Sequence, residues 1–263
     1  MNGPRATGTV LVLGSLLTIG QWLTLGQSGV SDASGSSLRW QDGRAIVRVI
    51  RRGKAWSSLD GAKWQELRIG DVLGEGALVK TDKKAVVDLF LKRNGPVLRL
   101  TPATKMAIRK LRFAGSGDNT VSETRFDLQE GGILGAVARL PPASCYEVTT
   151  TNGVRMAVEE TRYAEYEIRA SGLVQVLSGA VVTLVKGTDA REERYEVSGR
   201  QEFHPPVSAK VVPMSPEAEL DFRRRIEQDD FTPSLEPRDT GQTEPFWDNW
   251  WMLKRPARLM LRL

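Results

Sequence analysis

Between Arg44 and Val197 the chain is a succession of short apolar runs, four to eight residues long, rich in Val, Ile, Leu and Tyr and broken by Gly, Asn-Gly or Pro. Several alternate strictly. In Val86-Val87-Asp88-Leu89-Phe90-Leu91 and in Tyr163-Ala164-Glu165-Tyr166-Glu167-Ile168, apolar and polar residues exchange at period two, the signature of a strand with one buried and one wet face. No stretch between these runs keeps a 3.6-residue period long enough for a helix. The pattern predicts an all-β body, antiparallel or solenoid-like, and argues against βαβ units. Asn94-Gly95, Asn152-Gly153 and Ser178-Gly179 read as turns between strands, and Gly131-Gly132 as a bend or a close backbone approach. Glu165 and Glu167 fall on one side of a strand, which predicts a solvated face rather than a catalytic carboxylate pair.

The two ends differ from the body. Ala6 to Ser31 carries no charge, and Gly8 to Gly26 is apolar except for Gln21 and scattered Ser and Thr, just long enough to span a bilayer as a helix. Arg5 precedes it, so the positive-inside rule sends everything after Ser31 across the membrane. Two readings fit: a cleaved signal peptide, with small residues at Ser31-Asp32-Ala33, or an uncleaved anchor with Trp22 at the interface. At the other end, Ser215-Pro216-Glu217-Ala218-Glu219 predicts a helix start with a capping Ser, Pro at the first helical position and acids in the first turn. A Pro-containing linker then leads to Trp247, Trp250 and Trp251, followed by an acid-free stretch containing Lys254, Arg255, Arg258 and Arg262. Three roles fit this tail: capping an open end of the β body, docking a partner, or lying on an anionic membrane. Trp247, Trp250, Trp251 and Arg255 are the candidate partner-binding residues. The resulting organisation is 1–33, signal or anchor with its linker; 34–207, the β domain; and 208–263, helix and tail.

Composition narrows the chemistry. The 37 Lys and Arg against 32 Asp and Glu leave +5, but acids and bases alternate through the chain, so a nucleic-acid binder is not indicated. One Cys (Cys145) and one His (His204) exclude an intramolecular disulfide and a zinc site of the usual Cys/His kind. Every Ser-His-Asp triad would need His204, which sits beside Pro205 and Pro206 with no G-x-S-x-G motif in support. No calcium-loop or phosphate-loop pattern is present, so neither metal, cofactor nor small-molecule substrate is expected. Arg48, Arg51, Arg52 and Lys54 read as charges that keep an edge strand soluble.

The ordered set of motifs resembles the FecR domain of bacterial cell-envelope proteins. The opening has Gly53, Trp64, then Leu67-x-x-Gly70-Asp71, Leu73, Gly76 and Thr81. A two-strand unit follows: Val87-Asp88-Leu89-Phe90-Leu91, Asn94-Gly95, and Val97-Leu98-Arg99-Leu100-Thr101-Pro102-Ala103-Thr104. Phe126-Asp127-Leu128, Gly131-Gly132, Arg139-Leu140-Pro141-Pro142 and Tyr146-Glu147-Val148-Thr149-Thr150 come next, and Val174-Gln175-Val176-Leu177-Ser178-Gly179-Ala180-Val181-Val182 is similar to the family's closing strands. The resemblance covers Gly53 to about Lys186. One departure falls at Ala157-Val158-Glu159-Glu160-Thr161, where relatives carry Gly in place of Glu160. The resemblance implies a non-enzymatic, all-β, solenoid-like module outside the cytoplasm that binds another envelope protein, in some relatives as part of transmembrane signalling. About seven residues precede the apolar segment, too few for the cytoplasmic sigma-factor-binding region of about fifty residues that the regulators of this family carry. A second reading, of another class, is a carbohydrate or peptidoglycan binder, suggested by Trp40, Trp56 and Trp64.

Overall fold

The structure, a computed structural model, describes residues 39–92, 97–115, 120–137, 140–159, 163–186, 191–205 and 209–227. In chain order its strands are β1 (Trp40–Asp42), β2 (Ala45–Arg51), β3 (Ala55–Ser58), β4 (Gln65–Glu66), β5 (Val72–Leu73), β6 (Leu78–Thr81), β7 (Val86–Phe90), β8 (Val97–Leu100) and β9 (Lys105–Ala114). They continue as β10 (Val121–Glu130), β11 (Gly132–Val137), β12 (Cys145–Thr150), β13 (Arg155–Val158), β14 (Ala164–Arg169), β15 (Val174–Lys186), β16 (Glu192–Ser198), β17 (Gln201–His204) and β18 (Lys210–Pro213), and α1 spans Pro216–Glu227. The body is all-β, as the period-two pattern predicts. The apolar segment Gly8–Gly26, the turn at Asn94-Gly95, Glu160, and the tail with Trp247, Trp250, Trp251 and Arg255 lie outside the described residues. Among the described residues no helix is long and apolar enough to cross a membrane.

The strands form two sheets. Sheet I runs β4-β3-β6-β9-β10-β12-β13-β15-β16, with β1 beside the far end of β9. Sheet II runs β5-β2-β7-β8-β11-β14-β15-β17-β18. Every ladder is antiparallel except β10–β12, so the stacked parallel coils of a solenoid, one of the two architectures the pattern allowed, are not what the described strands build. The ladders lead from one end to the other without returning to their start, leaving both sheets open-ended.

The sheets meet through the inward positions of their strands. Val87, Leu89, Leu98, Leu100, Ile133 and Tyr166 of sheet II share one buried cluster with Met106, Ile108, Phe126, Leu128, Tyr146 and Val148 of sheet I. Tyr146 and Tyr166 bridge the layers by a hydroxyl–hydroxyl bond of 2.7 Å, and burial pushes both phenols up, so each stays a neutral hydrogen-bonding group. The Tyr166 ring lies over Gly135 so closely that a β-carbon there would come within 2.3 Å of it. A side chain at position 135 would displace the tyrosine and break the bridge.

Ser178-Gly179 is not the turn that was expected. β15 runs unbroken for 13 residues, pairing with β14 and β17 in sheet II through its first half and with β13 and β16 in sheet I through its second. Gly179, at φ +81°, is the bend between the two, and a β-carbon there would sit 1.7 Å from the Tyr163 carbonyl oxygen. Only glycine fits this crossing.

α1 begins where its capping signals place it. The Ala218 amide donates to Ser215 Oγ at 3.1 Å. Phe222 and Met214 then pack on Val97, Leu134 and Ala136, which point outward from sheet II. The helix therefore covers the outer face of sheet II around these residues.

Candidate functional site

The sequence motifs turn out to be the joints of this body. In Leu67-x-x-Gly70-Asp71, Leu67 is buried, Gly70 takes φ +96°, and the Arg68 amide donates to Asp71 Oδ2 at 2.8 Å. Gly53 leaves room for the carboxylate of Asp82, whose Oδ1 would be 2.3 Å from a β-carbon at 53. That carboxylate accepts the amides of Lys54, Lys84 and Ala85, each at 2.7 Å, and these bonds hold its pKa below the ordinary carboxylate value, the Lys54 amide having the largest effect.

The outer face of sheet II holds a buried charge network. Asp88 and Arg99 stand directly opposite on β7 and β8; Arg99 Nε and Nη2 donate to the two Asp88 oxygens at 2.6 and 2.7 Å, and both residues are 5% exposed or less. Arg99 Nη1 also donates to the Arg225 carbonyl at the end of α1, 2.9 Å. Arg225 in turn donates from Nη1 to Glu167 Oε2 at 2.6 Å, while Arg169 Nε donates to Glu167 Oε1 at 2.9 Å. Glu165 and Glu167 do share the outward side of β14, but Glu167 is only 2% exposed because α1 covers it. The solvated face expected for the pair is, at Glu167, a salt-bridged interface, while Glu165 stays half-exposed and accepts a hydrogen bond from Ser178 Oγ at 2.6 Å. Every acid in this network is paired, and its role is to clamp the helix.

No described element covers the outer face of sheet I, which carries a mesh of ion pairs. Arg125 reaches Glu123 at 3.1 Å and Glu147 at 3.4 Å, and Arg155 reaches Glu147 at 3.3 Å and Glu192 at 2.6 Å. Arg109 pairs with Asp127. Toward the end where β3, β6 and β9 adjoin, the mesh gives way to a different row. Cross-strand register places Glu66, Trp56, Lys80, Lys105 and Glu130 opposite one another on five successive strands. Lys80 Nζ sits 4.0 Å from the ring centre of Trp64 and 5.4 Å from that of Trp56. Trp64 Nε1 donates to the Gly61 carbonyl at 3.0 Å, which fixes the indole plane. A cleft of about 440 Å³ opens beside it, lined by Trp64, Lys80, Asp82, Lys83, Lys105 and Glu130.

The remaining residues singled out by sequence lie elsewhere. Trp40 stacks on Arg112 at the far end of β9, away from the ladder that joins Trp56 to Lys80. Arg48 lies over Phe90 at 5.4 Å. His204 is exposed, and its ring nitrogen Nε2 lies 2.7 Å from the Glu202 carboxylate. Burial pushes the Cys145 thiol up, which keeps it a poor nucleophile. No group of His, Cys, Asp and Glu suited to hold a metal occurs among the described residues. The Lys80–Lys105 juxtaposition was missed by sequence reasoning, because the two positions meet only through the β6–β9 ladder. No known protein family, curated protein or solved structure matches the chain.

Proposed function

We propose that the chain is a non-enzymatic, extracytoplasmic binding module of FecR type, exported or anchored by its N-terminal segment, that docks another protein of the cell envelope. The observation that carries the reading is the edge of β16. Among the described residues this seven-residue strand is laddered to β15 on one side only, and most of its side chains are exposed. An unpaired edge of that length offers a row of backbone donors and acceptors to an incoming strand, the mode of β-augmentation. Support for the family reading comes from the motif residues Gly53, Leu67, Gly70, Asp71 and Gly179, each of which occupies a turn, a cap or a bend. From β3 in sheet I and from β2 in sheet II, strand numbers rise along the sheet, so from there the chain advances toward one end of the body.

The test is site-specific photo-crosslinking of the full-length chain in intact envelopes. A crosslinker at position 193, on the free edge, is expected to give a discrete adduct with one envelope protein, competed away by unlabelled chain. A crosslinker at position 221, on α1, is expected to give none. Absence of an adduct from 193, or equal adducts from both positions, overturns the proposal.

A further inference from the structure

We propose that the cleft beside Trp64 is a binding site for an acidic saccharide, with the sugar's carboxylate held between Lys80 and Lys105 and its apolar face against the part of the Trp64 indole that Lys80 leaves open. The inference stands independently of the strand-edge reading. It starts from a local cost. Like charges directly opposite on neighbouring strands are destabilising, yet Lys80 and Lys105 are register partners on β6 and β9. Among the described residues neither comes within ion-pair distance of an acid. Elsewhere on this face arginines are matched to carboxylates, as Arg125 and Arg155 are to Glu147. Lys83 adds a third ammonium to the lining. An anion seated between the lysines would turn repulsion into attraction.

The acids in the cleft narrow the class of anion. Asp82 spends both its oxygens on backbone amides, so it shapes the wall rather than meeting a ligand. Glu130 is exposed and stands opposite Lys105. Its carboxylate accepts hydrogen bonds from hydroxyl groups and repels a ligand whose polar groups are all carboxylates. A ligand with one carboxylate, several hydroxyls and a flat C–H face answers all three features. Aromatic side chains pack well against such a face, and about 440 Å³ falls within the range of small-ligand pockets.

The floor of the cleft is pre-organised. Thr104 Oγ1 donates to the Gly132 carbonyl at 3.0 Å and accepts the Gly132 amide at 3.1 Å. The Thr104 amide donates to Thr81 Oγ1 at 2.9 Å, and Thr81 Oγ1 donates to the Thr101 carbonyl at 2.8 Å. Ala103 and Gly131 hold positive φ of 54° and 73° beside it. A binding site held by crossed hydrogen bonds loses little freedom when a ligand arrives.

The experiment titrates the purified full-length chain in detergent micelles, followed by tryptophan fluorescence and calorimetry. The probes are trigalacturonate, monomeric galacturonate, neutral chitotriose, a triglutamate peptide and sodium sulfate. Saturable binding of trigalacturonate is expected, weakening as salt is raised, with chitotriose at least about tenfold weaker. Trp64→Ala and Lys105→Gln are each expected to weaken it by about tenfold or more. Lys105→Gln changes a surface position, so it keeps the test valid if Trp64→Ala fails to fold. Trigalacturonate binding well above the monomer identifies a polymer as the source, and equal binding identifies a free sugar acid; both support the site. Absence of trigalacturonate binding, indifference to Lys105→Gln, or equally tight binding of triglutamate or sulfate overturns the proposal.

Discussion

The outer faces of the two sheets both carry charged positions, sheet II adding the apolar Val97, Leu134 and Ala136, and they end differently. On both, outward positions of alternating strands carry charged side chains. On sheet II a register pair of opposite charges, Asp88 and Arg99, is buried beneath α1 and tied to it through the Arg225 carbonyl. On sheet I a register pair of like charges, Lys80 and Lys105, faces a cleft that no described element covers. The same alternation therefore serves two ends. Complementary charges at adjacent strand positions let a face be covered, because each buried charge has its partner. Matched cations keep a face open, because no apolar cover could be laid over them without desolvating two ammonium groups. The difference predicts that substitutions on sheet II cost stability and spare binding, whereas those on sheet I do the reverse.

Asp88→Ala should show the largest effect. It leaves the Arg99 guanidinium buried without its carboxylate, and a loss of about 3–5 kcal/mol is expected from chemical denaturation. Phe222→Ala is expected to cost about 3 kcal/mol by removing the fully buried anchor of α1. It should also speed proteolysis within the helix while the strand ladders keep their hydrogen-exchange protection. An acid titration separates the wall of the cleft from the clamp. The Asp82 carboxyl titrates below its ordinary value of 3.8 in the folded chain, so the stabilisation it provides is fully present above that value. It is lost as pH falls through the lowered one. Asp82→Asn should lower the melting temperature at neutral pH and flatten the drop seen in the wild-type chain on acidification. Lys105→Gln should change unfolding free energy least, by under about 0.5 kcal/mol, since it removes repulsion from Lys80 and attraction to Glu130 together. A loss of several kcal/mol from Lys105→Gln, or none from Asp88→Ala, would break the comparison.

The sequence foretold most of the body and little of its faces. Period-two alternation marks β7 and β14 as strands, and Ser215-Pro216 marks the start of α1, because both signals are local. Asn152-Gly153 makes its turn, with Gly153 at φ +82°. Ser178-Gly179 misleads, because a glycine needed for close approach to the Tyr163 carbonyl reads the same as one needed for a hairpin. Glu167 misleads for a related reason: the helix that buries it arrives some fifty residues later in the chain. The cleft is less legible still. Trp56, Lys80, Lys105 and Glu130 have ordinary local contexts and become neighbours only through ladder register. That register depends on where turns and bulges fall across β3, β6, β9 and β10.

β15 belongs to both layers, and this fixes its alignment twice over. Side chains alternate along it, so sliding the strand by one residue would send Val174 and Val176 outward in sheet II while Val181 left the core beside sheet I. No partial slip relieves one sheet at the other's expense, because Gly179 must stay at the crossing, where any other residue would meet the Tyr163 carbonyl. The strand acts as a shared ruler. Each sheet reads its position from the same chain, and an error in one is an error in both.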